Sequence, residues 1–233
     1  MNLNLEKGLI NFGIEPTKEI GEKFQKYENL LIETNKQFNL TAITESDEVN
    51  LKHFVDSISC QSLIPMGSSV IDVGTGAGFP GLPLKIVRDD IKLTLLDSLG
   101  KRVNFLNTVI DELSLFEAAA FHMRAEEGGK NKEFREKFDV ATSRAVANLP
   151  VLCEYCMPFV KPGGYFLALK GRDAEAEVDL AGKAIKVLGG KLQKIEKVFW
   201  QGLEHRVVVI RKECKTPSRF PRNAGKPSKE PII

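Results

Sequence analysis

Tryptophan occurs once in this chain, histidine three times and cysteine four times among 233 residues. The four thiols, Cys60, Cys153, Cys156 and Cys214, have none of the density or spacing of a disulfide framework. Cys153 and Cys156 form a C-x-x-C pair, but no second pair or histidine cluster completes a tetrahedral zinc site. The surrounding Pro150 to Val160 reads as an apolar helix, so both thiols are expected to be buried on one helix face and no metal is expected. Missing too is any run of the ~20 apolar residues that a membrane span needs. Met1 to Ile10 alternates polar and apolar residues and lacks the basic-then-apolar order of a secretion signal. These absences leave a soluble, cytoplasmic protein without a membrane partner. Charge of one sign is not in excess either: 33 basic and 31 acidic residues give +2. Such a balance neither marks nor excludes a nucleic-acid partner, so the clustering of the cations must decide.

What is present is a chain 42% hydrophobic, long enough for one sizeable core with a helical extension. The first 65 or so residues read as helical. Thr17 can cap a helix running to about Asn35, with Ile20, Phe24, Tyr27, Leu30 and Leu31 at helical spacing. A polar turn at Gln37 to Thr41 follows. A second helix starts near Ser46 or Asp47, carries Val49, Leu51, Phe54, Val55 and Ile58, and stops at Pro65 and Gly67. From Ser69 the pattern changes to alternating strands and helices. Strands are expected at Val70–Val73, Lys92–Asp97, Glu117–Met123, Phe138–Ser143 and Tyr165–Lys170, and helices at Lys101–Leu113, Leu149–Phe159 and Ala174–Leu188. A closing hairpin is expected from Lys191–Phe199 and Glu204–Ile210. This order predicts an α/β fold, a mostly parallel sheet with an antiparallel edge. The expected division is an N-terminal helical extension over 1–66, an α/β domain over 67–211, and a basic, proline-rich tail over 212–233. Four prolines are expected to keep that tail irregular and flexible.

The segment from Asp72 to Gly81 carries the chemistry. A buried strand runs into Gly74-Thr75-Gly76-Ala77-Gly78-Phe79-Pro80-Gly81, and a helix follows. Glycines there allow a tight turn and a close approach of ligand to backbone, at the place where open α/β sheets bind ligands. Two frames fit. Gly76-x-Gly78-x-x-Gly81 matches the dinucleotide fingerprint, whereas Asp72-x-Gly74-x-Gly76-x-Gly78 matches the first motif of methyltransferases that use S-adenosylmethionine. Asp72, an acid just before the glycines, suits a cationic ammonium and would sit badly beside a pyrophosphate. Asp97, at the tip of the next strand, can accept both ribose hydroxyls of an adenosine in either frame.

Beyond the loop, the sequence resembles the bacterial small-subunit rRNA guanine-N7 methyltransferases (RsmG, formerly glucose-inhibited division protein B). The marks are Asn39-Leu40-Thr41-Ala42, His53-Phe54-Val55-Asp56-Ser57, the block from Asp72 to Pro83, Leu96-Asp97-Ser98 with Lys101-Arg102, Ser143-Arg144-Ala145-Val146-Ala147, Lys170-Gly171, and Phe220-Pro221-Arg222-Asn223-Ala224-Gly225. The tryptophan that often precedes the Asn-Leu-Thr turn in that family is absent; Thr34-Asn35-Lys36 stands there. The resemblance implies a class I, Rossmann-like methyltransferase fold and S-adenosyl-L-methionine as cofactor. The cofactor would be held by Asp72, Gly74, Gly76, Phe79, Asp97, Ala125, Glu126 and Arg144, with Arg144 as the catalytic candidate. It also implies a guanine in a decoding-region loop of 16S rRNA, free or in the small subunit, as substrate.

Nitrogen 7 of guanine carries a lone pair and no proton, so its methylation rests on proximity and orientation more than on a base. Consistently, Ser143-Arg144-Ala145 follows the fourth strand, where enzymes that methylate exocyclic amines carry Asn-Pro-Pro-aromatic. The expected RNA contacts are His53 and Asp56 on one helix face, with Lys101, Arg102, Lys170, Arg206, Arg219, Arg222 and Lys226 as phosphate-binding cations. His122 and His205 read as structural, and the protein as a monomer. Three other functions stay open at this point: an NAD-dependent dehydrogenase, a non-catalytic RNA-binding module, and a methyltransferase acting on protein or a small molecule.

Overall fold

The computed structural model describes residues 1–233. In chain order the helices are α1 (Leu3–Asn11), α2 (Lys18–Asn35), α3 (Ser46–Val49), a π-helical turn over Asn50–Val55, α4 (Asp56–Ile58), α5 (Gly81–Val87), α6 (Gly100–Glu112), α7 (Ala125–Gly128), α8 (Leu149–Cys156), α9 (Ala174–Val187) and α10 (Lys226–Lys229). The strands are β1 (Ser69–Val73), β2 (Lys92–Asp97), β3 (Ala118–His122), β4 (Phe138–Arg144), β5 (Val160–Lys170), β6 (Gly190–Trp200) and β7 (Leu203–Lys212). They form one sheet in the order β3-β2-β1-β4-β5-β7-β6. The first five strands are mutually parallel, and β7 runs antiparallel between β5 and β6. No helix is long and apolar enough to cross a membrane.

Strand alternation sends side chains to two cores. Val70, Leu93, Leu95, Val140, Leu167, Leu169, Val207 and Val209 face α2, α5 and α6; Ile71, Val73, Leu96, Ala141, Phe166, Ala168, Val208 and Ile210 face α8 and α9. The N-terminal helices share the first core with the sheet. Leu5 and Leu9 of α1, and Phe24, Tyr27 and Leu31 of α2, are buried in it. The α1 helix sits tightly on the π-helical turn: a Cβ at Gly8 would meet Val55 at 2.5 Å. Thr17 caps α2 as expected, its Oγ1 accepting from the Ile20 amide at 3.2 Å.

The tail departs from expectation. Residues 226–229 form a helical turn, and the segment before it folds back onto the protein. Phe220 is buried in the second core. Arg222 makes a bidentate pair with Glu154, which is 1% exposed on the apolar helix α8. Lys212, fully buried, reaches the Met157 carbonyl at 2.6 Å and also bonds Thr216. A buried acid on an apolar helix is stable only with a cation brought to it; that cation comes from the tail.

Candidate functional site

The parallel strands β1, β2 and β4 end together, and the loops that follow them surround a cavity of about 540 Å³, within the range of cofactor sites. Its floor is the glycine loop. Gly74 and Gly76 lie at φ 71° and 63°, a region L-residues avoid. A Cβ on Gly74 would meet Val146 at 2.6 Å. The loop is held from below: the buried Tyr27 hydroxyl donates to the Ala77 carbonyl, and the Gly74 amide donates to the Leu96 carbonyl at 2.8 Å.

Asp97 is 4% exposed and lies on the cavity wall. Its two oxygens accept from the amides of Gly76 and Leu99, each at 2.9 Å. Each oxygen keeps a further lone pair for a diol. Arg102 Nη1 stands 3.6 Å away. Glu126 lies at the other end of the wall, with Ala125 and Met123 beside it, and its Oε1 accepts from the Gly225 amide at 2.9 Å. The tail closes this end: Gly225, Ser228 and Tyr155 line the cavity, and Tyr155 and Ser228 are hydrogen-bonded at 2.8 Å.

Asp72 is placed differently from the sequence-based expectation. It is fully buried beneath the glycine loop and does not line the cavity. Its Oδ2 accepts from Thr75 Oγ1 at 2.6 Å and the Gly81 amide at 2.9 Å, so it braces the loop from beneath. Burial pushes its carboxyl up to about 6, against those two hydrogen bonds.

At the mouth, Arg144 ends β4. Its Nη1 donates to Asp56 Oδ2 at 2.6 Å and to the Lys52 carbonyl at 3.1 Å, and its Nη2 lies 3.2 Å from His53 Nδ1. The guanidinium sits 5.0 Å from the Phe79 ring centre, and the His53 ring stacks on Phe79 at 4.5 Å. His53 Nε2 pairs with Thr41 Oγ1 at 2.8 Å. Burial, reinforced by the Arg144 charge, pushes His53 down to about 4, so the imidazole is neutral. On the far side of Asp56, His205 Nδ1 lies 2.8 Å from Oδ1, and His205 Nε2 pairs with Ser59 Oγ at 3.0 Å. Burial alone would raise the Asp56 carboxyl; His205 and Arg144 on its two oxygens outweigh burial and hold it below the ordinary value. A second, smaller cavity of about 230 Å³ opens here, lined by Asp56, Arg144, Ala145, Lys170, Gly171 and His205. Arg144 and Ala145 belong to both cavities.

The structure thus brings Gly74, Gly76, Phe79, Asp97, Ala125, Glu126 and Arg144 to one cavity, with His53 and Arg102 on its wall. The expected RNA cations divide. Lys101 and Arg219 are exposed, and Lys226 is half-exposed with Glu230 3.6 Å away. Lys170, Arg206 and Arg222 are not free phosphate ligands: Lys170 pairs with Glu177 at 2.7 Å, Arg206 with Glu175 and Glu204, and Arg222 with Glu154. Their charge offsets buried or half-buried acids. The sequence did not reveal the role of Tyr27, Thr41 as the His53 partner, the Gly225–Ser228 wall, or the tie of His205, expected to be structural, to Asp56. Thr41 and Gly225 lie within the family-like motifs; His205 carries no local signal. The Cys153 and Cys156 thiols are both fully buried in the second core, and burial raises both.

The strand order, with an antiparallel β7 between β5 and β6, departs from the 3-2-1-4-5-6 order of dinucleotide-binding folds. A glycine cradle flanked by two acids on such a sheet defines a class I S-adenosylmethionine-dependent methyltransferase. The fold matches that of an S-adenosylmethionine-dependent methyltransferase from Aquifex aeolicus, with a TM-score of 0.54 and 18% identity over 77% of this chain and 97% of that one. The chain belongs to the GidB family, rRNA small subunit methyltransferase G, whose model matches residues 20–206. It is 55% identical to the ribosomal RNA small subunit methyltransferase G of Desulforamulus reducens, over 90% of this chain and 89% of that protein. To the protein of the same name from Acetivibrio thermocellus it is 48% identical, over 98% and 95%. The dehydrogenase reading is therefore set aside, and S-adenosylmethionine is the cofactor.

Proposed function

We propose that this protein, acting in the cytoplasm as a monomer, methylates nitrogen 7 of a guanine in a decoding-region loop of 16S rRNA within the small ribosomal subunit. The observation that carries this reading is the pair of adjoining cavities that share Arg144 and Ala145. The larger suits the cofactor: Asp97 is the acceptor for the ribose diol, Glu126 for the adenine amino group, Phe79 supplies an apolar wall, and Arg144 is the cation facing the methionine carboxylate. Bound there, S-adenosylmethionine supplies an electrophilic methyl group. The smaller cavity suits a flipped purine. Lys170 and Arg144 can donate to the guanine carbonyl oxygen, and Asp56 can accept from its N–H edge. The protein's task is to orient a lone pair that already exists. A neutral His53 fits this task, because it fixes Arg144 without adding charge beside a sulfonium.

The test is methyl transfer from labelled S-adenosylmethionine to small subunits from cells lacking this protein. Label recovered as 7-methylguanosine at one position is expected. Label in another nucleoside, or none with cofactor binding intact, would overturn the assignment.

A further inference from the structure

The β6–β7 hairpin lies at the same end of the sheet as the cavities. β5 ends at Lys170, which pairs with Arg206 of the antiparallel β7, and β7 begins at Leu203 opposite Trp200. The hairpin turn, Gln201-Gly202, therefore projects from the substrate side of the fold. Both of its residues have positive φ, 43° and 85°, the conformation of a tight two-residue turn matched to strand twist. Beside it a cleft of about 370 Å³ is lined by Arg172, Phe199, Trp200, Gln201, Leu203 and Glu204. The chain's single tryptophan and a phenylalanine that is 61% exposed both line it.

Phe199 is not a stray surface apolar group. The Arg206 guanidinium is seated 5.2 Å from its ring centre, and Arg206 is itself fixed by Glu175 and Glu204. The ring is thus supported from within the protein while more than half of it stays open. Arg172, its side chain 70% exposed, is fixed at the lip by Glu204 at 2.8 Å. Exposed Lys197 projects from the same strand face two residues before Phe199. An open aromatic face with planar and point cations around it is the composition of a nucleobase-stacking platform. From β4 to β6 there are three strand steps of ~4.8 Å, about 14 Å, a span that a few nucleotides of single strand cover.

We propose that the β6–β7 hairpin is a second nucleotide site, in which Phe199 stacks an unpaired base flanking the methylated guanine while Arg172 and Lys197 meet its phosphates. This inference rests on the rRNA reading of the central site. It assigns to Arg206 the support of the stacking ring in place of direct phosphate contact.

The experiment compares Phe199→Ala and Phe199→Trp with the natural protein on two probes: unmodified small subunits, and 16S rRNA stripped of protein. For each, the Kd is measured by filter retention, methyl transfer is followed, and the affinity for S-adenosylhomocysteine is recorded. Phe199→Ala is expected to raise the RNA Kd and KM about tenfold on both probes. Its kcat at saturating RNA and its cofactor affinity should stay unchanged, and Phe199→Trp should restore binding. An unchanged Kd would overturn the platform and leave the methyl-transfer reading standing. An effect confined to assembled subunits would replace the nucleotide with a ribosomal protein and overturn it too. If the natural protein methylates neither probe while binding cofactor, the central reading and this one fall together.

Discussion

Arg144 and His53 lie 3.2 Å apart, Nη2 to Nδ1, and that contact fixes the state of the imidazole. A guanidinium only donates, so Nδ1 must be the acceptor, Nε2 carries the proton, and Nε2 donates to Thr41. The helical segment before the sheet and the end of β4 are joined at the mouth of the site through a neutral ring.

A pH dependence follows. His53 titrates at about 4 in the folded protein and near ~6.5 when unfolded. As pH falls through that window, the unfolded chain takes up a proton that the folded chain refuses, so stability is lost at up to about 1.4 kcal/mol per pH unit. His53→Asn keeps an acceptor for Arg144 and removes the titration. Thermal melts from pH 7 to 4 should show the natural protein losing stability relative to this variant; parallel curves would mean the imidazole is not held neutral.

Asp72 has the opposite sign. Its folded value of about 6 lies above the unfolded one, so its contribution weakens as pH rises from ~4 to about 6. Because it braces the loop and does not line the cavity, Asp72→Asn is expected to bind S-adenosylhomocysteine within about twofold of the natural protein. Asp72→Ala leaves the Thr75 hydroxyl and Gly81 amide without an acceptor and should cost about 1–3 kcal/mol in denaturant melts. A collapse of affinity in the Asn variant with the fold intact would return Asp72 to the ligand.

Gly74→Arg places a side chain at positive φ against Val146. The backbone penalty is about 1–2 kcal/mol, which the fold survives, whereas titration calorimetry should detect no cofactor binding. Natural affinity in that variant would mean the cradle lies elsewhere.

Arg222→Ala strands Glu154 with a buried, uncompensated charge and should destabilise the protein by about 3–5 kcal/mol. Removing both charges with Glu154→Leu in the same chain should recover most of that loss. A single variant as stable as the natural protein would show that the tail is only loosely applied.

The sheet and its glycine loop were legible in the sequence because their signals are local. Val70 to Val73 running into glycines, with Asp97 one strand later, marks the site, and the hairpin boundaries fall within two residues of expectation. Asp72 was misplaced although the information was present: period 2 puts it on the face of Val70, beneath α5, away from the cavity. The tail misled for a different reason. Its prolines and cations read as flexible, and the compensating signal, a lone Glu154 in an otherwise apolar helix, lies far away in sequence. The partners of His205, expected only to be structural, were unreadable, since Asp56 and Ser59 come from another layer of the fold.

The Gly225–Ser228 wall sets an order of events during synthesis. A ribosome making this protein can release the glycine cradle, Asp97 and Arg144 long before the residues that shut the Glu126 end of the cavity have emerged. The nascent chain therefore carries an unfinished pocket, open beside Glu126, until the Gly225–Ser228 segment folds back onto α8.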